Sequence, residues 1–246
     1  MKAIVLIFLS LSCGQLVGDE FYRKLPQDLE CPLVYWMVSQ SVPHFDQWRS
    51  VGITANHLTF LAGVFQLFAC FLLWRRVPIL VGVFWFLGVF LDEIDGSYAR
   101  YHHLCSTYGD LFDHLRDWIC AGVLMIVLFL RYRLRWKDYL FLGSSLLLIA
   151  IFLGVQEQYV ATLKPHIQTS AALGPLATLL RLLALPLKET LHLLRWVGTA
   201  HVGLLISLYL ASLPILWRRK WGLNADPYPQ VYLCKTREHD NATKRG

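Results

Sequence analysis

The sequence predicts an all-α polytopic membrane protein with about six transmembrane helices. Hydrophobic residues make up 56% of the 246 residues and charged residues only 16%, a balance that is typical of chains surrounded by lipid. The apolar residues occur in long runs that end at charged or polar residues, whereas a soluble core of this size would alternate more. Acidic residues crowd the ends of two of these runs, which places a candidate site between the second and third helices.

Two segments precede the predicted spans. Residues 1–18 are mostly apolar, as in a signal peptide or a hydrophobic segment that lies in the bilayer interface. Residues 19–57 are mixed, and aromatic side chains alternate with polar ones from Leu33 to Trp48. This pattern favours an N-terminal amphipathic interfacial helix that breaks near Pro43.

A domain of six predicted helices follows over residues 58–217. The helices are placed at residues 58–74, 77–99, 108–130, 138–156, 171–187 and 197–217. The fifth is the weakest because two prolines and Arg181 interrupt it, and Arg181 itself fits either a snorkelling side chain or a substrate-phosphate contact. The polar tail, residues 218–246, is predicted to be exposed to solvent.

Charge and cysteine usage exclude two classes of function. The net charge of +6 lies mostly in short basic clusters beside apolar runs: Arg75 and Arg76, Arg131 to Lys137, and Arg218 to Lys220. Such clusters are typical of membrane edges, and a nucleic-acid-binding surface is not expected. The six cysteines contain no Cys-x-x-Cys pair, so neither a zinc site nor a disulfide framework is predicted.

Six carboxylates crowd the segments 91–100 and 109–117. An ionised side chain at membrane depth costs about 3 kcal/mol even on the lenient insertion scale, so this many acids require a compensating cation. Hard carboxylate oxygens without a nearby cysteine favour Mg²⁺ or Mn²⁺ over zinc. Two such ions about 3.5–4 Å apart are the arrangement used in phosphoryl-type displacement.

Helical periodicity arranges these residues in two stripes that can face each other. The stripes consist of Asp92, Asp95, Gly96, Ala99 and Arg100 on the second helix, and Gly109, Asp113 and Asp117 on the third. Gly96 and Gly109 lack a Cβ atom, which lets a phosphate-bearing ligand or the partner helix approach the backbone. The forked guanidinium of Arg100 suits a phosphate oxygen.

These eight residues match the pattern Asp-x2-Asp-Gly-x2-Ala-Arg-x8-Gly-x3-Asp-x3-Asp without deviation. A chance match is on the order of 10⁻¹⁰ per starting position. The chain therefore resembles the CDP-alcohol phosphotransferase (CDP-alcohol phosphatidyltransferase) family, whose signature this is. The run from Ala55 to Thr59 is similar to the family's Pro-Asn-x-x-Thr, with alanine in place of proline. The resemblance covers residues 45–130.

The resemblance implies a role for each matched residue. Asp92, Asp95 and Asp113 would be metal ligands, and Asp117 would join the metal site and act as general base. The residues implied to line the cytidine diphosphate are Gly96, Ala99, Arg100 and Asn56. In the implied reaction an acceptor hydroxyl attacks the phosphorus of a CDP-alcohol, CMP leaves, and a phospholipid forms.

The substrate stays open. The run from Gly109 to His114 is similar to that of choline and ethanolamine phosphotransferases, which use CDP-choline or CDP-ethanolamine. The short chain is instead similar to the compact enzymes that join CDP-diacylglycerol to inositol, serine or glycerol phosphate. The Asp-Arg pair that often follows the third aspartate in those compact enzymes is absent, because the order here is Arg116, Asp117, Trp118.

Three alternatives compete with a phosphotransferase. The acids could form a buried ion-pair network with Arg100 and Arg116, belong to a catalytically inactive relative, or mark the path of a membrane transporter. Glu93 and Asp110 are predicted to be solvated neighbours rather than ligands, and His114 a helix-edge residue.

The expected partners are a CDP-alcohol, a lipid or small-alcohol acceptor and membrane lipids, and a homodimer is left open. The expected location is the endoplasmic reticulum membrane in a eukaryote or the inner membrane in a bacterium. The family's site faces the cytoplasm, and the basic loop from Arg131 to Lys137 would then lie on the far side, against the positive-inside tendency.

Overall fold

A computed structural model describes residues 22–132, 134–163, 178 and 186–221. All regular structure in these ranges is helical, which confirms the predicted class. The helices are α1 (Pro32–Ser41), α2 (Phe45–Ser50), α3 (Ala55–Trp74), α4 (Leu80–Tyr101), α5 (Thr107–Arg131), α6 (Trp136–Leu163), α7 (Leu187–Leu194) and α8 (Thr199–Trp221), with 3₁₀ turns at Val42–His44 and Arg195–Val197.

Three stretches of the described chain are long and apolar enough to span a membrane: Ala55–Trp74, Trp136–Thr162 and Leu187–Trp217. Helices α4 and α5 are of similar length but carry the charged residues of the motif. The chain is thus a helical membrane protein. The segment 1–18, nearly all of the span predicted at 171–187, and the tail beyond Trp221 lie outside the described residues.

The segment before α3 packs onto the bundle. Helix α1 begins at Pro32, whose fixed φ suits the first helical position, and the 3₁₀ turn at Pro43 produces the predicted break. Met37, Phe45 and Trp48 are completely buried, in one apolar cluster with residues of α3 and α4. A helix is therefore present in this segment, while the predicted amphipathic helix in the membrane interface stays a prediction.

Two helix bounds differ from the predicted ones for identifiable reasons. Helix α4 begins at Leu80 rather than at residue 77, because a turn containing Pro78 precedes it and Ile79 adopts a left-handed φ of 55°. Helix α6 continues past residue 156 because Glu157 is buried instead of ending the apolar run. Its Oε1 atom lies 2.6 Å from Nζ of Lys24.

Small residues let α4 lie close to both α3 and α8. A Cβ atom on Gly82 would lie 2.7 Å from the backbone oxygen of Ser207 in α8. One on Gly88 would lie 2.5 Å from Cγ of Gln66 in α3. Close approach at small residues is the usual way for membrane helices to pack. Helix α4, which carries half of the acidic motif, is therefore held between two neighbours.

The ends of the bundle differ in charge. One end of the bundle contains the acidic residues, the last residues of α6 and the first residues of α8. At this end, Sγ of Cys31 lies 3.0 Å from Nδ1 of His201. Burial raises the pKa of the Cys31 thiol, which keeps it neutral there. At the opposite end Arg131 donates to the oxygen of Trp74 at 3.2 Å. The Arg76 guanidinium also lies there, 3.2 Å from the ring centroid of Trp217.

Candidate active site

Helices α4 and α5 bring the four predicted aspartates together. Oxygen atoms of Asp92, Asp95 and Asp113 all lie within 4.8 Å of one another. A second group under the same limit consists of Asp113, His114 and Asp117. His114, predicted to be a helix-edge residue, thus borders the site, with Nδ1 4.0 Å from Oδ2 of Asp113.

Thr59 orients the most enclosed of these acids. Its Oγ1 atom donates a hydrogen bond of 2.6 Å to Oδ2 of Asp95, and Asp95 is only 7% exposed. The sequence comparison matched Thr59 to the entry of the first span but attached no role to it. Because Thr59 lies on α3, a third helix helps to position the carboxylates.

The two motif glycines act differently. A Cβ atom on Gly109 would lie 3.4 Å from Oδ1 of Asn56 and 3.2 Å from Oγ of Ser106, and Ser106 caps α5 by accepting from the Gly109 amide at 3.0 Å. The missing Cβ atom of Gly109 therefore lets α3 and α5 lie close together. Among the described residues, a Cβ atom on Gly96 would contact only the Arg100 guanidinium, whose Nη1 atom would lie 3.4 Å away. Gly96 also lines a cavity, where its missing Cβ atom keeps space for a ligand.

An open cavity lies beside the aspartates, between the ends of α3, α4 and α5. Its lining includes the predicted residues Asn56, Asp95, Gly96, Ala99, Arg100, Gly109 and Asp113, together with Lys24, Ala55, Thr59, Leu104, Cys105, Ser106 and Asp110. Asp92 and Asp117 are not among the lining residues. The predicted nucleotide-lining residues therefore share one cavity with two of the four predicted metal ligands.

Two basic side chains line this cavity. Arg100 donates from Nε to the backbone oxygen of Tyr22 at 2.7 Å and from Nη2 to Ser97 at 3.2 Å, so it is anchored away from the acids. Lys24 is paired with Glu157 of α6. Sequence reasoning missed Lys24, because no motif or periodic pattern links it to the aspartates.

Arg116 forms the ion pairs that Arg100 does not. It is 6% exposed, and its Nη2 atom contacts the carboxylates of Asp92 and Asp113. The same nitrogen lies 3.1 Å from Oδ1 of Asp117. Of the two arginines in the ion-pair alternative, Arg116 is therefore the one that reaches the acids.

The donor set fits Mg²⁺ or Mn²⁺. The first group consists of three carboxylates and the second of two carboxylates and one imidazole, and hard oxygen donors are the ligands that these ions prefer. Gly96 and the two basic side chains that line the cavity suit a phosphate group beside such an ion. The residues present are therefore compatible with a divalent metal centre.

The fold and the site define a class: a helical membrane protein with a carboxylate-rich cavity that is compatible with a divalent ion and a phosphorylated ligand. The model of the CDP-alcohol phosphatidyltransferase family matches residues 52–210. Since this is more than half of the chain, the chain belongs to the CDP-alcohol phosphatidyltransferase family. The family resemblance of the motif is thereby confirmed, and the match extends beyond the third helix.

One curated relative shares part of the chain. An archaetidylinositol phosphate synthase of Pyrococcus horikoshii is 32% identical over 87 residues, covering 35% of this chain and 46% of that protein. The chain thus spans about half the length of this relative. No solved structure matches the chain.

Proposed function

We propose that this protein is a phospholipid-synthesising CDP-alcohol phosphotransferase, which moves a phospho-alcohol group from a CDP-alcohol to an acceptor hydroxyl and releases CMP. The observation that carries the proposal is the placement of Asp92, Asp95 and Asp113 within 4.8 Å of one another, at a cavity lined by Gly96 and Arg100. Family membership supplies the reaction class.

The four aspartates Asp92, Asp95, Asp113 and Asp117 would hold Mg²⁺ or Mn²⁺, which we expect as two ions. When bound, the ions supply positive charge that stabilises the transferring phosphoryl group. The chain's own residues prepare the site. Thr59 fixes one carboxylate oxygen of Asp95, the missing Cβ atom of Gly96 keeps space for the diphosphate at the cavity, and Arg100 presents donors to its oxygens.

Asp117 is the proposed general base. Its side chain is 50% exposed, so an acceptor hydroxyl can reach it, whereas Asp95 is enclosed. The hydroxyl oxygen forms the new bond to phosphorus as the bond from phosphorus to the CMP oxygen breaks. The hydroxyl proton passes to the Asp117 carboxylate, and the bond electrons leave with CMP.

For the donor we propose a CDP-diacylglycerol-type lipid, with a small polar alcohol as acceptor. The similarity to an archaetidylinositol phosphate synthase supports this choice over CDP-choline. Lys24 and Arg100 at the cavity also favour an acceptor that carries a phosphate. Labelled CDP-diacylglycerol and CDP-choline, supplied separately with matching acceptors, distinguish the two by the mass of the lipid product. Product from CDP-choline alone would contradict the donor assignment.

The reaction class is tested by CMP release from membranes that contain the protein. Asp113→Asn removes a charged ligand from both acidic groups, and we expect turnover to fall by about a hundredfold or more. The matched control is Glu189→Gln on the exposed surface of α7, which should keep normal turnover. Unchanged CMP release from Asp113→Asn would refute the assignment of that residue. Absence of CMP release from the unaltered protein with either donor would favour an inactive relative or a transporter.

A further inference from the structure

Arg116 reaches the acidic site through a single nitrogen. Nη2 contacts Asp92 and Asp113 and lies 3.1 Å from Asp117. The other two nitrogens, Nε and Nη1, are buried and have no hydrogen-bond partner among the described residues. An arginine placed for hydrogen bonding would pair its fork with a carboxylate through two nitrogens. Hydrogen bonds and charge attraction at one nitrogen, rather than a two-nitrogen fork, therefore hold this guanidinium in place.

The bundle has a slot for the Arg116 side chain. A Cβ atom on Gly63 of α3 would lie 2.9 Å from Cγ and 3.3 Å from Cδ of Arg116. Cγ lies near the base of the side chain, so a methyl group at Gly63 would force the whole stem to move. The position of Arg116 thus depends on a missing side chain in a neighbouring helix as well as on the aspartates.

Arg116 and a divalent ion would use the same carboxylates. The three aspartates that Nη2 contacts all belong to the four proposed as metal ligands, and an ion bound to their oxygens repels a second cation at close range. A divalent ion carries twice the charge and coordinates directly, whereas Arg116 leaves two nitrogens unpartnered. The two cations therefore compete for the site.

We propose that Arg116 is a tethered cation of the metal site: it neutralises the aspartates while no divalent ion is bound and withdraws from them as an ion binds. Arg116 then has two effects. It stabilises the metal-free fold, because three clustered carboxylates would otherwise repel one another. It also weakens metal affinity, because each ion must displace it. This inference rests on the proposed function in taking the aspartates as the metal site.

The test measures Mn²⁺ binding to the purified full-length chain in detergent by electron paramagnetic resonance, together with the melting temperature in EDTA. In Arg116→Gln we expect Mn²⁺ to bind about tenfold more tightly or better, and the metal-free melting temperature to fall. Arg116→Lys keeps the charge and should stay near the unaltered protein. Gly63→Ala displaces the stem and should shift both readouts in the same direction as Arg116→Gln. The matched control is Arg131→Gln, at the opposite end of α5, which should not change Mn²⁺ affinity.

The outcomes separate this inference from the proposed function. The role of Arg116 would be overturned if Arg116→Gln, Gly63→Ala and the unaltered chain bound Mn²⁺ with affinities within about twofold of one another. The metal site itself would not be overturned by that result. If Arg116→Gln does not fold, an unchanged affinity in Gly63→Ala is sufficient to overturn the role of Arg116. No Mn²⁺ bound by any variant would overturn the metal-dependent function and this inference with it.

Discussion

Asp95 is the most enclosed of the four motif aspartates. It is 7% exposed, whereas the side chains of Asp92, Asp113 and Asp117 are 30%, 31% and 50% exposed. Its hydrogen bond from Thr59 fixes which of its oxygens points away from α3. A neighbour that orients a metal ligand commonly matters for metal affinity almost as much as the ligand itself.

Replacing Thr59 by valine is therefore expected to weaken the metal site without removing a ligand. Thr59→Val keeps the shape of the side chain and deletes the donor, so Asp95 loses its orientation. We expect CMP release to require about ten times more Mg²⁺ for half-maximal rate. Thr59→Ser keeps the hydroxyl and should behave like the unaltered protein. An unchanged Mg²⁺ requirement in Thr59→Val would show that the hydrogen bond does not serve the site.

Sequence reasoning predicted which aspartates meet, because fixed helical spacing places Asp92 and Asp95 on one face and Asp113 and Asp117 on another. It did not predict that Arg116, and not Arg100, forms the ion pairs with the aspartates. Both arginines lie near the acids in sequence, and only the packing of α3 against α5 decides which one has room to turn inward. Lys24 was missed altogether, because its segment carries no periodic pattern.

Among the elements, α4 carries half of the acidic motif and packs closely against two neighbouring helices. Its glycines at positions 82 and 88 allow contact with α8 and α3 at distances that a methyl group would not permit. The positions of Asp92 and Asp95 relative to the other helices therefore depend on glycines about one to four turns before them in the same helix.

Gly82→Ala is expected to destabilise the bundle at the contact between α4 and α8. The added Cβ atom would lie 2.7 Å from a backbone oxygen of Ser207, which cannot move alone, and overpacking of this kind costs about 1–3 kcal/mol. For a chain of this size each kcal/mol lowers the melting temperature by about 2–4 °C. Thermal unfolding in detergent measures the shift.

Gly143→Ala is the matched control, because within 4 Å of its added Cβ atom there is no heavy atom of the described chain. It lies in another long apolar helix and should unfold at the temperature of the unaltered protein. Equal melting temperatures for the Gly82 and Gly143 variants would show that the close packing of α4 on α8 does not contribute to stability.

Helix bounds were predicted well where an apolar run ends at charged residues, as at Trp74 and Arg131. They were predicted less well where a tertiary contact or a turn determines the residue at which the helix begins or ends. Glu157 looked like a helix-ending residue, yet Lys24 neutralises it inside the protein and α6 continues. Such a pairing between distant segments leaves no trace in local hydropathy.

Over the whole molecule, the acidic site and the described basic clusters occupy opposite ends of the bundle. Cys105 lies at the site end, in the connection between α4 and α5, and is exposed. Lys137, at the start of α6, lies at the other end. Helix α6 ends and α8 begins at the site end, so α8 finishes beside Arg76. The end of α8 therefore lies on the same side as Lys137.

Labelling in sealed vesicles tests this arrangement. In a chain with the other cysteines replaced by serine, a membrane-impermeant maleimide should reach Cys105 from one side and the cysteine of Lys137→Cys from the other. A tag after residue 246 should share the side of Lys137. Six crossings, as predicted from hydropathy, would instead place the tag with Cys105. That result would show that the ends of α6 and α8 are misassigned.

The slot at Gly63 also constrains how this protein changes over evolutionary time. Because the stem of Arg116 occupies the volume that a side chain at Gly63 would fill, neither position can vary freely while the other keeps its residue. Close relatives that retain arginine at position 116 should retain glycine at position 63, and a larger residue at 63 should be found together with a shorter one at 116. A lineage leaving this arrangement must lose the arginine first.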